Sequence, residues 1–295
     1  MDLKGKTVFI TGASRGIGLA IARRCARDGA NVVIAAKSVE PHRHLPGTIF
    51  TAAEEVRACG GRALPVQFDV RSEESIEAAV AATVAEFGGI DICINNASAV
   101  SRSPIGETTA KAFDLMHQVN GRGTFLVTRA CLPHLRKAEN PHVLNMAPPP
   151  IMEPEWFAGH VAYTITKMTM SMCTLGMAEE LRPEGIAVNA LWPRFAIATA
   201  AIEFAFADRE ELQRCRKPEI MADAAHAILV RDAGECTGHF FIDDEVLHAL
   251  GVTEFDSYRI DPSKASRIGL FVPTHSAPPL GVDMVGAYRP APKTD

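Results

Sequence analysis

This 295-residue sequence has no C-x-x-C pair, no long apolar run, no basic stripe and no internal repeat, and each absence removes a class of protein. The seven cysteines (Cys25, Cys59, Cys93, Cys131, Cys173, Cys215, Cys236) are odd in number and scattered, which reads as free buried thiols in a reducing compartment and argues against a metal site. His42-Arg43-His44 has no partner at zinc-site spacing. No apolar stretch approaches the roughly 18 residues of a membrane span. Met1-Asp2-Leu3-Lys4-Gly5-Lys6 leads straight into an apolar strand and leaves no room for a signal peptide, so a cytoplasmic protein is expected. A net charge of −5 without like-charge blocks gives no sign of nucleic-acid binding or of an acidic tail.

What is present is a rhythm. Strand-like apolar runs at 7–10, 31–36, 63–68, 91–95, 142–145, 186–191 and 239–242 alternate with helical patterns at 19–24, 50–60, 72–88, 111–137 and 162–181. Alternation of this kind means right-handed β-α-β crossovers and a parallel sheet with helices on both faces. The runs are apolar almost throughout, as strands buried on both sides must be. Gly29, Gly60 and Gly88 stand where helices should stop. The expectation is an α/β, Rossmann-type, doubly wound parallel seven-stranded sheet in a single domain over residues 1–255. Residues 256–295 carry six prolines and form a C-terminal arm, either lying on a neighbouring subunit or disordered.

Chemistry begins at Thr11-Gly12-Ala13-Ser14-Arg15-Gly16-Ile17-Gly18, between the first strand and the first helix. A strand turning through glycines into a helix aims unpaired N–H groups and the positive helix end at one spot, which favours a phosphate. Gly12 permits the tight turn, Gly16 lets backbone approach a pyrophosphate, and Gly18 lets helix pack on strand. The second strand ends Ala35-Ala36-Lys37-Ser38, with alanine where an acid would hold a ribose 2′-hydroxyl. Lys37, Arg15 and Ser38 suit a ribose 2′-phosphate instead, so NADP is expected ahead of NAD. His42-Arg43-His44, in the long loop that follows, would either add to this site or be solvated.

Tyr163 and Lys167 stand four apart on a helical pattern and so share a face. A phenol is a poor proton donor and acceptor near neutrality, and a neighbouring ammonium favours its ionised form.

Glycine loop, Asn95-Asn96-Ala97, Asn120 and Tyr163-x-x-x-Lys167, in this order, resemble the short-chain dehydrogenase/reductase family over roughly residues 4–245. Gly47–Glu55 and Asn189-Ala190-Leu191-Trp192-Pro193 are similar to its hydroxysteroid dehydrogenase-like branch, here without the sterol-carrier domain that some members carry. The resemblance implies strand order 3-2-1-4-5-6-7 and hydride transfer between nicotinamide and a carbonyl or alcohol. It makes Tyr163 the general acid/base, and gives Lys167 the nicotinamide ribose as well. Asn120 would hold a helix bend and a relay water, Asn95, Asn96 and Ala97 would support sheet and cofactor, and Asp69-Val70 would bracket adenine. Pro193, Ile197 and Thr199 would line the carboxamide and phosphate. The resemblance also implies a homodimer or homotetramer built on 111–137 and 162–181.

Three departures stand out. The family serine before the tyrosine has no counterpart in Leu144-Asn145-Met146-Ala147-Pro148-Pro149-Pro150, so either the enzyme is slow or substrate-restricted, or another donor fills in, with Ser98, Ser101, Ser103 and His160 as candidates. Losing such a donor typically costs about 10²–10³ in rate. Ser98 replaces a usual glycine, and Arg194 replaces the glycine of a Pro-Gly pair, where it would crowd the nicotinamide or reach towards an anionic substrate. Trp156, Phe157, Trp192, Phe195, Phe204 and Phe206 flank the expected pocket and point to an apolar substrate. Two functions follow: an NADP(H)-dependent oxidoreductase interconverting carbonyl and alcohol, or a nucleotide-binding scaffold or sensor of the same fold with impaired catalysis.

Overall fold

The computed structural model describes residues 2–42, 45–200, 202, 209–273, 276–278 and 284–285. Arg43, His44, Phe204 and Phe206 lie outside them. Seven strands, β1 (Thr7–Thr11), β2 (Asn31–Ala36), β3 (Arg62–Gln67), β4 (Ile92–Asn95), β5 (His142–Asn145), β6 (Ala187–Trp192) and β7 (Phe240–Ile242), form one sheet in the order β3-β2-β1-β4-β5-β6-β7. Every neighbouring pair is parallel. This is the expected doubly wound sheet, with its reversal between β1 and β4.

The apolar runs divide strictly by residue parity. Val8, Ile10, Val32, Ile34, Ile92, Ile94 and Leu144 pack in one core layer. That layer belongs to helices α1 (Gly16–Arg27), α2 (Ile49–Ala58) and α8 (Glu219–Leu229). Phe9, Val33, Ala35, Cys93, Val143 and Val188 face the other layer, beneath α3 (Glu73–Phe87), α5 (Gly123–Leu135) and α6 (Val161–Leu181). A period of two with both sets apolar is what burial of both sheet faces requires. Local signals agree with the packing: Thr48 and Thr51 cap α2 reciprocally, Ser72 caps α3, and Gly88 ends α3 in the left-handed region.

Two features differ from the sequence reading. The pattern over 111–137 is not one helix: α4 (Ala110–His117) and α5 are separated by a π-helical turn, Gln118–Arg122. Asn120 sits in that turn, and widened turns of this kind collect at functional positions. Secondly, residues 256–273 return to their own molecule. After α7 (Arg209–Gln213), α8 and α9 (Asp243–Ala249), residues 266–270 lie along the segment that follows β6, with the Ala196 N–H donating to Arg267 (3.0 Å) and the Gly269 N–H to Arg194 (2.8 Å). Phe271 is fully buried at its end. A proline-rich composition hides this, because pairing with an irregular segment leaves no periodicity. Among the described residues, no helix is long and apolar enough to cross a membrane.

Candidate active site

Two concavities meet at the carboxyl ends of the strands, where β1 and β4 diverge. A cleft of about 570 Å³ runs from the end of β2 to the glycine loop. Gly12, Ser14, Arg15, Gly16, Ile17, Lys37, Ser38, Val70, Asn96, Ala97 and Thr199 line it. A cavity of about 200 Å³ lies beyond, lined by Tyr163 and Lys167, Pro193 and Ile197. Ile17, Asn96, Ser98 and Thr199 belong to both, so the two are continuous.

The cleft fits a dinucleotide phosphate. The helix α1 begins after Arg15 without any side-chain cap, so its first N–H groups are left for a ligand. Gly12 has φ +68°, and a Cβ there would stand 2.9 Å from Ala97 Cα. A Cβ on Gly18 would lie 2.5 Å from Asn96 Nδ2 and 2.7 Å from the Gly12 carbonyl oxygen. Thr11, Gly18 and Asp69 are absent from the cleft lining. Thr11 Oγ1 instead accepts the Asn96 and Ala97 N–H groups (both 3.0 Å), and Asn96 Nδ2 donates to the Thr11 carbonyl (2.9 Å). Those bonds tie the end of β1 to the end of β4 and set the loop's shape.

At the β2 end, Arg15 donates to Ser38 Oγ (2.9 Å) and to the carbonyls of Pro46 and Gly47. Lys37 Nζ is 3.1 Å from Asp69, whose carboxylate also accepts hydrogen bonds from the backbone N–H, Nε and Nη2 of Arg71. Arg71 and then Lys37 hold the Asp69 carboxyl well below the usual carboxylate range. Two cations thus hold one carboxylate near the end of β2, while Arg15 is held by Ser38 and the loop after it.

Tyr163 and Lys167 both lie in the first turns of α6 and both are buried. Lys167 Nζ donates to the Met146 carbonyl at 3.0 Å and sits 5.1 Å from the Trp192 ring centroid. Burial pushes the ammonium down to about 7. Burial raises the Tyr163 phenol above its ordinary range, and the cation that pulls it back is Arg102, on the loop after β4. Desolvation dominates both shifts and the expected mutual help of the i, i+4 pair contributes to neither, because both side chains enter an apolar wall.

Asn120 is fully buried: its Oδ1 accepts the Ala99 N–H (2.8 Å), and its Nδ2 donates to the Ala99 carbonyl (3.0 Å) and Thr166 Oγ1 (2.9 Å). Thr166 Oγ1 in turn donates to the Tyr163 carbonyl (2.8 Å). The π turn therefore clamps the loop after β4 to the helix that carries the phenol. Asn95 bonds Asn145 Oδ1 (2.8 Å), which passes on to Thr174, in a buried amide ladder behind the site.

Of the candidate substitute donors, Ser98 lines the cavity, whereas Ser101, Ser103 and Thr108 bond one another and His160 contacts Thr164. Ala147 is fully buried and offers no hydroxyl. Arg194 corrects its expectation. It turns away from the cavity into the interior, 1% exposed, with Nε on Asp244 (2.8 Å), Nη2 on Glu245 (2.7 Å) and Nη1 on the Ser276 carbonyl (2.8 Å). Asp244 is 0% exposed, and a carboxylate so buried demands a cation more strongly than an open cavity does. Phe271, Arg216, Asp243 and Asp244 were not singled out by sequence reasoning. The acids do follow β7 at the start of α9, a position where negative charge is favoured, but nothing local names their partners.

Comparison with known proteins agrees with this geometry. Residues 6–209 match the family described as short chain dehydrogenase. Hydroxysteroid dehydrogenase-like protein 2 of Danio rerio is 55% identical over 260 residues, covering 88% of this chain and 62% of that protein. The Rattus norvegicus protein of the same name is 52% identical over 99% of this chain and 55% of its own length. The chain therefore spans little more than half the length of these curated relatives. A crystal structure of a putative dehydrogenase from Xanthomonas campestris is 55% identical, with TM-score 0.90 over 92% of this chain and 100% of that one.

Proposed function

This chain belongs to the short-chain dehydrogenase family, and on that premise we propose that it is an NADP(H)-dependent oxidoreductase interconverting a carbonyl and an alcohol on an apolar substrate. The observation that carries this reading is the placement of Tyr163 and Lys167 on one apolar cavity that opens into the nucleotide cleft. Bound nicotinamide would supply or accept the hydride. Lys167 would hold its ribose hydroxyls, exchanging the Met146 carbonyl for them or adding to it, while the wall of Trp192 and Phe195 excludes water. Tyr163 would give its proton to the carbonyl oxygen in reduction and take it back in oxidation. Asn120 would keep α6 and the loop after β4 in register, and Arg102 would favour the ionised phenol. Ser98 is the cavity hydroxyl available in place of the family serine.

NADP in preference to NAD is supported by Ala36 in place of an acid, by Lys37 and Arg71 on Asp69, and by Arg15 on Ser38. Association through α4, α5 and α6 is supported by Phe113, Phe125, Ile165, Met172 and Leu175, which stay 39–52% exposed. Seven free cysteines suit a reducing, cytoplasmic setting.

Oxidation of NADPH against a panel of apolar ketones tests the reading. Turnover should fall at least a hundredfold in Tyr163→Phe with NADPH affinity kept. Ala147, which leaves the serine position without a hydroxyl, favours a second reading: a nucleotide-binding scaffold or sensor. NADPH binding with turnover no greater than that of Tyr163→Phe would establish it.

A further inference from the structure

Phe271 is the hub of an aromatic box. Its ring centroid lies 5.9 Å from Tyr163, 5.9 Å from Trp192, 6.0 Å from Trp156 and 6.0 Å from His160. It comes from the C-terminal segment, more than a hundred residues after the phenol it touches. It is also the non-glycine residue with positive φ, at +60°, among the described residues. Aromatic side chains rarely adopt this backbone, so the surroundings must over-determine it, and such outliers gather at functional sites.

Three sets of bonds hold it there. Residues 266–270 pair with the segment after β6, and Trp192 Nε1 donates to the Leu270 carbonyl at 2.6 Å. At Gly269, where a Cβ would stand 3.1 Å from the Arg194 carbonyl, the two backbones touch. Beyond Phe271, Arg194 reaches the Ser276 carbonyl while its other nitrogens engage Asp244 and Glu245. The arginine that replaces the usual glycine thus binds both sides of the returning chain.

We infer that residues 266–273 form a strap that closes the substrate cavity, and that Phe271 is a positioning residue seating the Tyr163 ring and keeping water from it. This rests on the oxidoreductase reading for its consequence in turnover, but not for its geometry. Ile268, Gly269 and Leu270 of the strap line the cavity itself, so they would also set the shape of substrate admitted. A compact, largely apolar carbonyl compound without a long polar extension is the class that a cavity of about 200 Å³ behind such a wall would accept.

The chain has two tryptophans and three tyrosines, and both tryptophans abut Phe271, which makes the inference measurable without a substrate. The variant Phe271→Gly removes the ring while relieving the backbone. In the full-length chain it should raise the acrylamide quenching constant at least twofold. It should also lower the apparent pKa of Tyr163, read as the ultraviolet tyrosinate titration minus that of Tyr163→Phe controls, by a unit or more. NADPH affinity should stay within about twofold, since Phe271 does not line the nucleotide cleft. Where a ketone is turned over, kcat should fall about 10- to 100-fold with a smaller change in KM, and Phe271→Leu should restore part of it. If Phe271→Gly does not fold, Gly269→Ala, which pushes the strap from Arg194, should move quenching and phenol titration the same way. Quenching and titration equal to those of the parent chain overturn the inference. A parent chain that turns over no ketone would defeat the oxidoreductase reading, and the two spectroscopic measurements would still decide the strap.

Discussion

Replacing Arg194 by methionine keeps the length and the apolar stem of the side chain and removes its charge from the interior. In the folded chain Arg194 is 1% exposed and Asp244 0%, and they meet at 2.8 Å. Breaking such a pair leaves a buried carboxylate short of its counter-charge, an effect of about 3–5 kcal/mol. Arg216 Nη1 remains 3.2 Å from Asp244 and compensates in part, which places the expected loss near the lower end, about 3 kcal/mol. Glu245 is half exposed and adds little. The backbone N–H of residue 194 still donates to Asp243, so that bond survives the substitution. For a chain of this size the loss corresponds to a melting temperature lower by roughly 5 °C, measurable by thermal and urea denaturation. The double variant Arg194→Met/Asp244→Leu should lose less than the sum of the two singles, although Arg216, fully buried against Asp244, then keeps its charge without that partner. A single variant within about 1 kcal/mol of the parent, or a double variant no better than the sum of the singles, would refute the reasoning.

Gly18→Ala should weaken NADPH binding at least tenfold by fluorescence titration, because the new Cβ meets Asn96 Nδ2 at 2.5 Å; Gly176→Ala, in open space on α6, should leave binding unchanged. Lys37→Ala should lower NADPH affinity about tenfold and NADH affinity far less, and equal losses would count against a 2′-phosphate site. His142 is buried and pushed down to about 4 by desolvation, so the unfolded chain takes up its proton first. Its contribution is whole above pH 6.5 and is lost as pH falls from 6.5 towards 4, by up to about 3 kcal/mol. Urea melts across that range should show a shallower decline for His142→Gln than for the parent chain.

Much of this architecture was legible because both sheet faces are buried. Val8, Phe9 and Ile10 are apolar in succession although they face opposite layers, and that run marks a strand of a covered parallel sheet. Tyr163, Lys167 and the glycine loop were legible because their chemistry is local, set by spacings of a few residues. The direction of Arg194 was not, since it is decided by Asp243 and Asp244 about fifty positions later. Nor was Phe271, which lies in a proline-rich stretch and gains its role from rings brought in by β6 and α6. The π turn at Asn120 escaped for a different reason: helix-favouring residues continue through it, and only the bonds to Ala99 and Thr166 make the wider turn worthwhile.

Burial also changes how the proton-exchanging pair should be understood. A lysine held charged in so apolar a wall would cost several kcal/mol, and so would an isolated phenolate. With Lys167 pushed down to about 7 and Tyr163 raised, burial costs this pair less than two fixed charges would. The same low polarity magnifies any charge that enters. Hydroxyls placed on Lys167 Nζ would favour its ammonium form, and that ammonium, together with Arg102, would then draw the Tyr163 phenol towards ionisation. On the proposed reading the pair would therefore be tuned by occupancy: the ligand that needs proton exchange would also restore the charge on which exchange depends.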